Sequence, residues 1–395
     1  MSRRRISDAQ RRNRIAVRHA LAPAHRLGDV EAVTRAMTVL HATEAATVHL
    51  AVAARAEGVG PADVDVALYD TRSVVKQLAM RRTLFVFPRG LLPAAWGSAS
   101  ARVAAAERKR IAKAITAAGI ADDGARWLDL ACAATLARLE AGPASTAELR
   151  AQVPELAGTV GGTSDKPWDR PVPVAPWVLT QLGLQGDALR GRNAGHWRIN
   201  KPTWTTAADW LGVVDPPLDE AAGYAALVGE WLTTFGPGTA TDLQWWLGST
   251  KTAVTRTLAE LGAVEVDLDD GSTGWVHPDD VDDVGPVEPW AALLPTLDPT
   301  VMGWKSRDFY LDPQHVPYLF DTNGNAGTTA WWDGRIVGCW VQDEQGVVQL
   351  SLLDDVGPDG LAALEHEAQR LTAWLDGTVI GNVYASRQMK LAKLP

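Results

Sequence analysis

A histidine, a threonine and a glutamate stand close together at His41-Ala42-Thr43-Glu44, where the apolar-periodic run EAATVHLAVAARA begins. An imidazole has an unperturbed pKa of about 6.5, so the neutral ring can accept a proton from water near pH 7. The Thr43 hydroxyl can orient that water without acting as a base. Glu44 adds a carboxylate able to orient the ring or to offset nearby positive charge. Each residue also has a plain structural reading. Thr43 can cap the helix that the apolar run predicts, and Glu44 can complement the positive end of that helix. His49, within the same run, reads as a core or surface residue.

Cations form a second group of candidates. Arg72 and Lys76 lie four apart, so they share a face if the segment SVVKQLAM is helical. Arg81 and Arg82 follow, then Arg102, Arg108, Lys109, Arg110 and Lys113. Further along come Lys251 and Arg256, and then Lys305 and Arg307. Such residues suit phosphate neutralisation, which gives affinity without sequence preference; the alternative is a solvated charged face. The whole chain carries a net charge of −9, but residues 1–120 hold 20 Lys and Arg against nine Asp and Glu, a net of +11, leaving −20 for the rest. That asymmetry points to a polyanion-binding segment or to ordinary surface charge at both ends.

Several classes are set aside. The two cysteines, Cys132 and Cys339, cannot build a disulfide framework and form no C-x-x-C pair, so neither a metal site nor a cofactor is expected. No apolar run reaches the roughly 18 residues of a membrane span. The N-terminal MSRRRISDAQRRNR is basic and lacks a signal-peptide core. The expectation is a cytoplasmic, soluble protein.

The elements that must position these residues follow a repeated order. At 395 residues the chain has room for two to four domains of roughly 100–200 residues each. Three segments read as helix, turn, helix and extended pair, the outline of a winged helix. In the first, Pro61 opens a short helix, Thr71-Arg72-Ser73 caps SVVKQLAM as the second, and RRTLFVFP is a strand. In the second, Ser145-Thr146-Ala147-Glu148 starts one helix. A Gly/Pro-rich stretch at 158–176 follows, WVLTQLGLQG is a helix stopped at Gly186, and a hairpin turns around Arg192-Asn193-Ala194-Gly195. In the third, Thr239 leads into DLQWWLG, Thr250 caps KTAVTRTLAELG, and a hairpin turns at Asp269-Asp270-Gly271. From about residue 286 the chain is β-rich, with a turn at Asp333-Gly334 and a capping helix, GLAALEHEAQRLTAWLDG. Trp231, Trp245 and Trp246 sit at helical spacing with leucines and read as core.

The segments VLHATEAATVHLAVAAR, MRRTLFVFP, FGPGTATDLQWWLG, LLPTLDPTVMGWKSR and WWDGRIVGCW, in this order, resemble the winged-helix DNA glycosylases of the azinomycin-resistance and crosslink-unhooking type, the AlkZ-like and YcaQ-like family. The resemblance spans roughly residues 5–385. It implies an α+β fold with three tandem winged-helix modules, at 1–120, 121–215 and 216–285, in a C-shaped arrangement. A C-terminal β-rich domain at 286–395 completes it. It further implies removal of bulky N7-alkylated purines, with crosslinks unhooked by some members, by a Gln-apolar-Gln or Gln-apolar-Asp motif. The matching place here is His41-Ala42-Thr43, a departure at both polar positions.

On that resemblance the partner is double-stranded DNA carrying damage, bound by a monomer. His41 becomes the candidate water-activating base, Thr43 the orienter of the water, and Glu44 the balancing anion. A lyase would need a desolvated lysine nucleophile, and Lys76 and Lys113 sit among charges, so a monofunctional glycosylase is expected. Two alternatives stay open, a winged-helix transcriptional regulator and a catalytically silent lesion-binding protein. Against the regulator, three modules in one chain leave no segment for dimerising on two half-sites. The silent binder differs from the enzyme only at the His-Ala-Thr motif.

Overall fold

The computed structural model describes residues 3–161, 170–213 and 215–392, so the Gly/Pro-rich stretch lies partly outside the described residues. The chain divides into two compact units. The first is built from Met1–Val74, Val86–Arg89 and Ala225–Pro395, and the second from Val75–Phe85 and Gly90–Tyr224.

In the first unit a two-residue strand, Leu40–His41, precedes the helix Ala45–Arg55, in which every residue is buried. A helix buried on all sides belongs in a core, and its polar side chains must find partners there. The next helix, Pro61–Asp65, is closed at its start by Asp63, whose carboxylate accepts the Gly60 N–H at 2.8 Å, and it continues as the wider turn Val66–Asp70.

The segment SVVKQLAM corrects the expectation of a second helix. Residues Val74–Leu78 form a strand, and Leu84–Pro88 forms the next. Arg72 takes a left-handed backbone, φ 56°, so Thr71-Arg72-Ser73 ends the preceding helix and does not cap a new one. The Val74-Val75 pair is β-branched and favours a pleated surface.

The third expected set is present in the same unit. Helix Ala240–Leu247 starts at a capping box of Thr239 and Asp242 and stops at left-handed Gly248. Helix Lys251–Glu260 is capped by Thr250. Strands Val264–Leu268 and Thr273–Val276 pair antiparallel, with Gly271 at φ 81° in their turn. The strand Arg4–Ile6 adds in parallel to Val264–Leu268, and Ile6, Val266, Leu268 and Val276 form a small core.

This strand changes the meaning of the basic N-terminus. Arg3 pairs with Glu265, Arg4 with Asp283 at 2.9 Å, Arg5 with Asp269 at 2.8 Å and Arg14 with Asp280 at 2.7 Å, while Arg18 also reaches Asp280. Much of the N-terminal positive charge is therefore neutralised inside the unit by the acidic 265–283 segment.

The C-terminal part of the unit is a four-stranded antiparallel sheet in sequence order: Ala291–Leu294, Thr329–Trp332, Arg335–Gln342 and Val348–Leu352. Asp333 and Gly334, φ 45° and 78°, make its tight turn where expected. Helix Gly357–Leu375 packs on this sheet through Leu364, Leu371 and Leu375.

The second unit holds two long helices, Ala101–Ala117 and Gly124–Glu140, around a core that includes Ile111, Ile115, Leu128 and Leu139. Helix Thr146–Gln152 begins at the Ser145/Glu148 capping box, and helix Ala175–Gln185 stops at left-handed Gly186, both as the sequence predicts. The hairpin differs from expectation. Its strands are Ala188–Asn193 and Pro202–Thr206, so the connection is the longer 194–201, and the Asn193 side chain accepts the Lys201 N–H at 2.6 Å to hold its ends together. Strand Ala144–Ser145 joins Pro202–Thr206.

Candidate active site

His41 lies at the end of the short strand Leu40–His41 and is only 7% exposed. The Thr43 backbone N–H faces its Nδ1 at 3.5 Å. An acceptor at Nδ1 favours the neutral tautomer with its proton on Nε2. At that length the contact biases the tautomer without fixing it.

Thr43 is not the helix cap. The N-cap residue is Glu44, which makes no side-chain cap bond, so the expected capping role of Thr43 is not realised. Thr43 is half-buried, and its hydroxyl bonds to no other group among the described residues.

Glu44 is buried, and its carboxylate is fully occupied. One oxygen accepts the Thr296 hydroxyl at 2.7 Å, and the other accepts the backbone N–H groups of Val383 at 2.6 Å and Tyr384 at 3.1 Å. Three donors onto one buried carboxylate hold it in place. The residue is thus an anchor as well as a negative charge beside Thr43.

Sequence reasoning missed the residues that fix the helix behind this turn. Thr47 donates to the Thr296 carbonyl at 3.0 Å. Arg55, at the other end of the helix, forms a two-pronged bond with Asp298 at 2.9 and 2.6 Å and also donates to the Thr300 hydroxyl at 2.8 Å. His19 meets that hydroxyl through Nδ1 at 2.8 Å. Complete burial, with the charges of Arg55 and Arg18 adding to it, holds the His19 pKa well below its ordinary value. The signal in the sequence is the alternation of Thr296, Asp298 and Thr300 within the otherwise apolar LLPTLDPTVM. His49 bonds Asp65 at 3.2 Å and is buried in the core.

Among the described residues no group of three or more His, Cys, Asp or Glu side chains is arranged to hold a metal ion. No helix among them is long and apolar enough to cross a membrane.

Residues 34–374 match the family model for DNA glycosylases of the AlkZ-like type. The chain belongs to the AlkZ-like DNA glycosylase family. Its fold is similar to that of the DNA glycosylase AlkZ of Streptomyces sahachiroi, with a TM-score of 0.73 and 20% identity, covering 95% of this chain and 98% of that one. A search of curated protein sequences finds no match.

For an AlkZ-like glycosylase the substrate class is DNA, and the basic residues take their meaning from that. Arg81 and Arg82 are exposed and sit side by side in the turn after strand Val74–Leu78, both left-handed at φ 54° and 60°. The Thr83 N–H closes that turn onto the Met80 carbonyl at 3.0 Å. Arg72 is half-buried and donates to the Tyr69 carbonyl at 3.3 Å, while Lys76 lies on the strand, so the shared helical face expected for them does not exist.

On helix Ala101–Ala117 the cations divide into two sets. Arg108 pairs with Asp129, and Arg110 bonds Glu107 at 2.8 Å and lies 4.8 Å over Trp177. Arg102, Lys109 and Lys113 are exposed and recur along one face at intervals of seven and four. Lys251 and Arg256 are exposed, the latter 3.7 Å from Glu260. Lys305 is exposed. Arg307 is half-buried between Trp245 and Phe320 and donates to the Val301 carbonyl at 3.0 Å, so it serves packing.

Proposed function

We propose that this chain is a monofunctional DNA repair glycosylase that hydrolyses the N-glycosidic bond of bulky N7-alkylated purines, including those in crosslinks. The observation that carries this reading is the half-buried Thr43 hydroxyl, unbonded among the described residues, on a turn whose backbone meets the His41 imidazole and whose next residue is the anchored Glu44. An N7-alkylated purine is cationic and already a good leaving group, so what remains is to place water at C1′ and to stabilise an oxocarbenium-like sugar. Thr43 holds the water, His41 takes its proton, and the buried Glu44 charge favours the cationic sugar without leaving its anchor.

In this reading three winged-helix modules, at 1–120, 121–215 and 216–285, and a β-rich domain at 286–395 present the site to duplex DNA. A monomer working in the cytoplasm suffices, and the chemistry calls for no cofactor. Arg81 and Arg82, with Lys109, Lys251, Arg256 and Lys305, neutralise phosphates. Arg72, Lys76, Arg108 and Arg110 contribute less directly, because their strands, carbonyls and carboxylate partners hold them.

One observation favours a second reading, a lesion-binding protein that does not cut. With Nδ1 turned to the Thr43 amide, the proton is biased toward Nε2, and in that tautomer Nε2 is no base. Single-turnover base release from a duplex carrying 7-methylguanine, beside a bulky N7 adduct and undamaged DNA, decides between them. Release above the spontaneous rate supports the enzyme. Salt-sensitive binding without release from either lesion supports the silent binder.

A further inference from the structure

Glu44 departs from the pattern of the other two helix–helix–hairpin sets. There the residue that starts the first helix is Ser145 or Thr239, and its hydroxyl caps that helix. Glu44 starts the helix that follows strand Leu40–His41, as Ser145 starts the one that follows strand Ala144–Ser145, but it leaves its own helix without a side-chain cap and turns its carboxylate to a segment 339 residues later in the chain. A carboxylate accepting backbone N–H groups makes stronger bonds than a neutral acceptor, so the arrangement fixes the backbone of residues 383–384.

The side chains on that backbone are unlike in exposure. Val383 is 83% exposed although its own amide is held by a buried carboxylate. Tyr384 is half-buried, and its phenol pKa is raised by burial and by the charges of Glu44 and Asp321, so it remains a neutral hydroxyl. A single exposed apolar side chain is ordinary on a surface. An exposed apolar side chain on a backbone bolted to the residue that follows Thr43 is not, because the bolt removes the ordering cost of using it in binding.

We propose that Val383 is an apolar wedge that contacts the bases at the reacting nucleotide, and that Glu44 is the positioning residue that holds it there. The proposal rests on the reading that the chain acts on DNA at His41 and Thr43. Apolar side chains inserted at a base step unstack it, and a base excised from a duplex must be exposed.

The test uses the full chain and a duplex in which 2-aminopurine neighbours a tetrahydrofuran abasic analogue, so the signal does not depend on base release. Binding of the unsubstituted protein is expected to raise 2-aminopurine fluorescence as the step unstacks. Val383→Ser should cut that rise by about threefold or more while affinity for undamaged duplex stays within about twofold, since the substitution removes the wedge and leaves the phosphate-neutralising cations in place. Glu44→Ala should reproduce the loss, and Glu44→Gln should restore the rise, because an amide oxygen still accepts both backbone N–H groups.

A full rise with Val383→Ser, or no rise with the unsubstituted protein at saturation, overturns the wedge. A full rise with Glu44→Ala overturns the positioning role. Absence of base release from the alkylated duplex overturns the glycosylase reading instead and leaves the fluorescence result to be judged separately.

Discussion

Arg55 and Asp298 form a completely buried two-pronged ion pair, both side chains at 0% exposure, that ties the end of helix Ala45–Arg55 to the LLPTLDPT segment. The same Asp298 oxygen that accepts from Arg55 Nη2 also accepts the Thr300 N–H at 2.9 Å. Removing one partner leaves the other charged, dry and unpaired, which costs about 3–5 kcal/mol. Asp298→Ala is therefore expected to lower the unfolding free energy, read from the denaturant midpoint of tryptophan fluorescence and its slope, by an amount of that order. An unchanged midpoint would mean that water reaches Arg55 and that the pair does not clamp the helix.

His19 gives this network a pH dependence with a definite sign. Its folded pKa is lowered by burial, so across its titration range the unfolded chain binds more protons than the folded one. The stability it contributes is complete above the unfolded value of about 6.5 and is lost as pH falls toward the folded one. Thermal melts should therefore show Tm falling between about pH 7 and pH 5, above the range in which carboxylates titrate. His19→Gln should flatten that dependence. An equal slope in the variant would assign it to other groups.

The parts of this molecule readable in the sequence are those whose cause is local. Thr239 with Asp242, Thr250, Ser145 with Glu148, and the glycines at 186, 248 and 271 each mark an element by chemistry within a few residues. SVVKQLAM misleads because Val74, Val75 and Leu78 fit a helical spacing as well as a strand, and only the left-handed Arg72 decides. Leu40–His41 and Arg4–Ile6 are too short to carry a period. His41, Thr43 and Glu44 were visible as chemistry. The anchors of Glu44 at Val383 and Tyr384 were not, because partners 339 and 340 residues apart leave no local pattern.

His41→Ala is expected to slow single-turnover base release by about 10²-fold or more, the lower range for losing a general base, with duplex affinity near that of the unsubstituted protein. Thr43→Val should give a smaller loss, because it removes only the group that orients the water. The two losses should not add, since both act on one water. An unchanged rate in His41→Ala would remove the imidazole from the mechanism and leave the buried charge and lesion reactivity to account for release.

Arg81 and Arg82 offer a way to separate binding from stability. Two adjacent non-glycine residues in the left-handed region cost about 1–2 kcal/mol each, and the Arg82–Glu107 pair, at 3.2 Å with Arg82 52% exposed, is worth no more than about 1 kcal/mol. The strained backbone of the tip thus offsets what the Arg82–Glu107 pair contributes. Arg81→Gly/Arg82→Gly relieves the backbone and removes both charges. Thermal stability should hold or rise, while affinity for every duplex falls and the slope of log K against log salt shrinks by about 2, close to 0.9 for each phosphate no longer neutralised. A variant of equal affinity and full salt slope would show that this turn does not touch DNA.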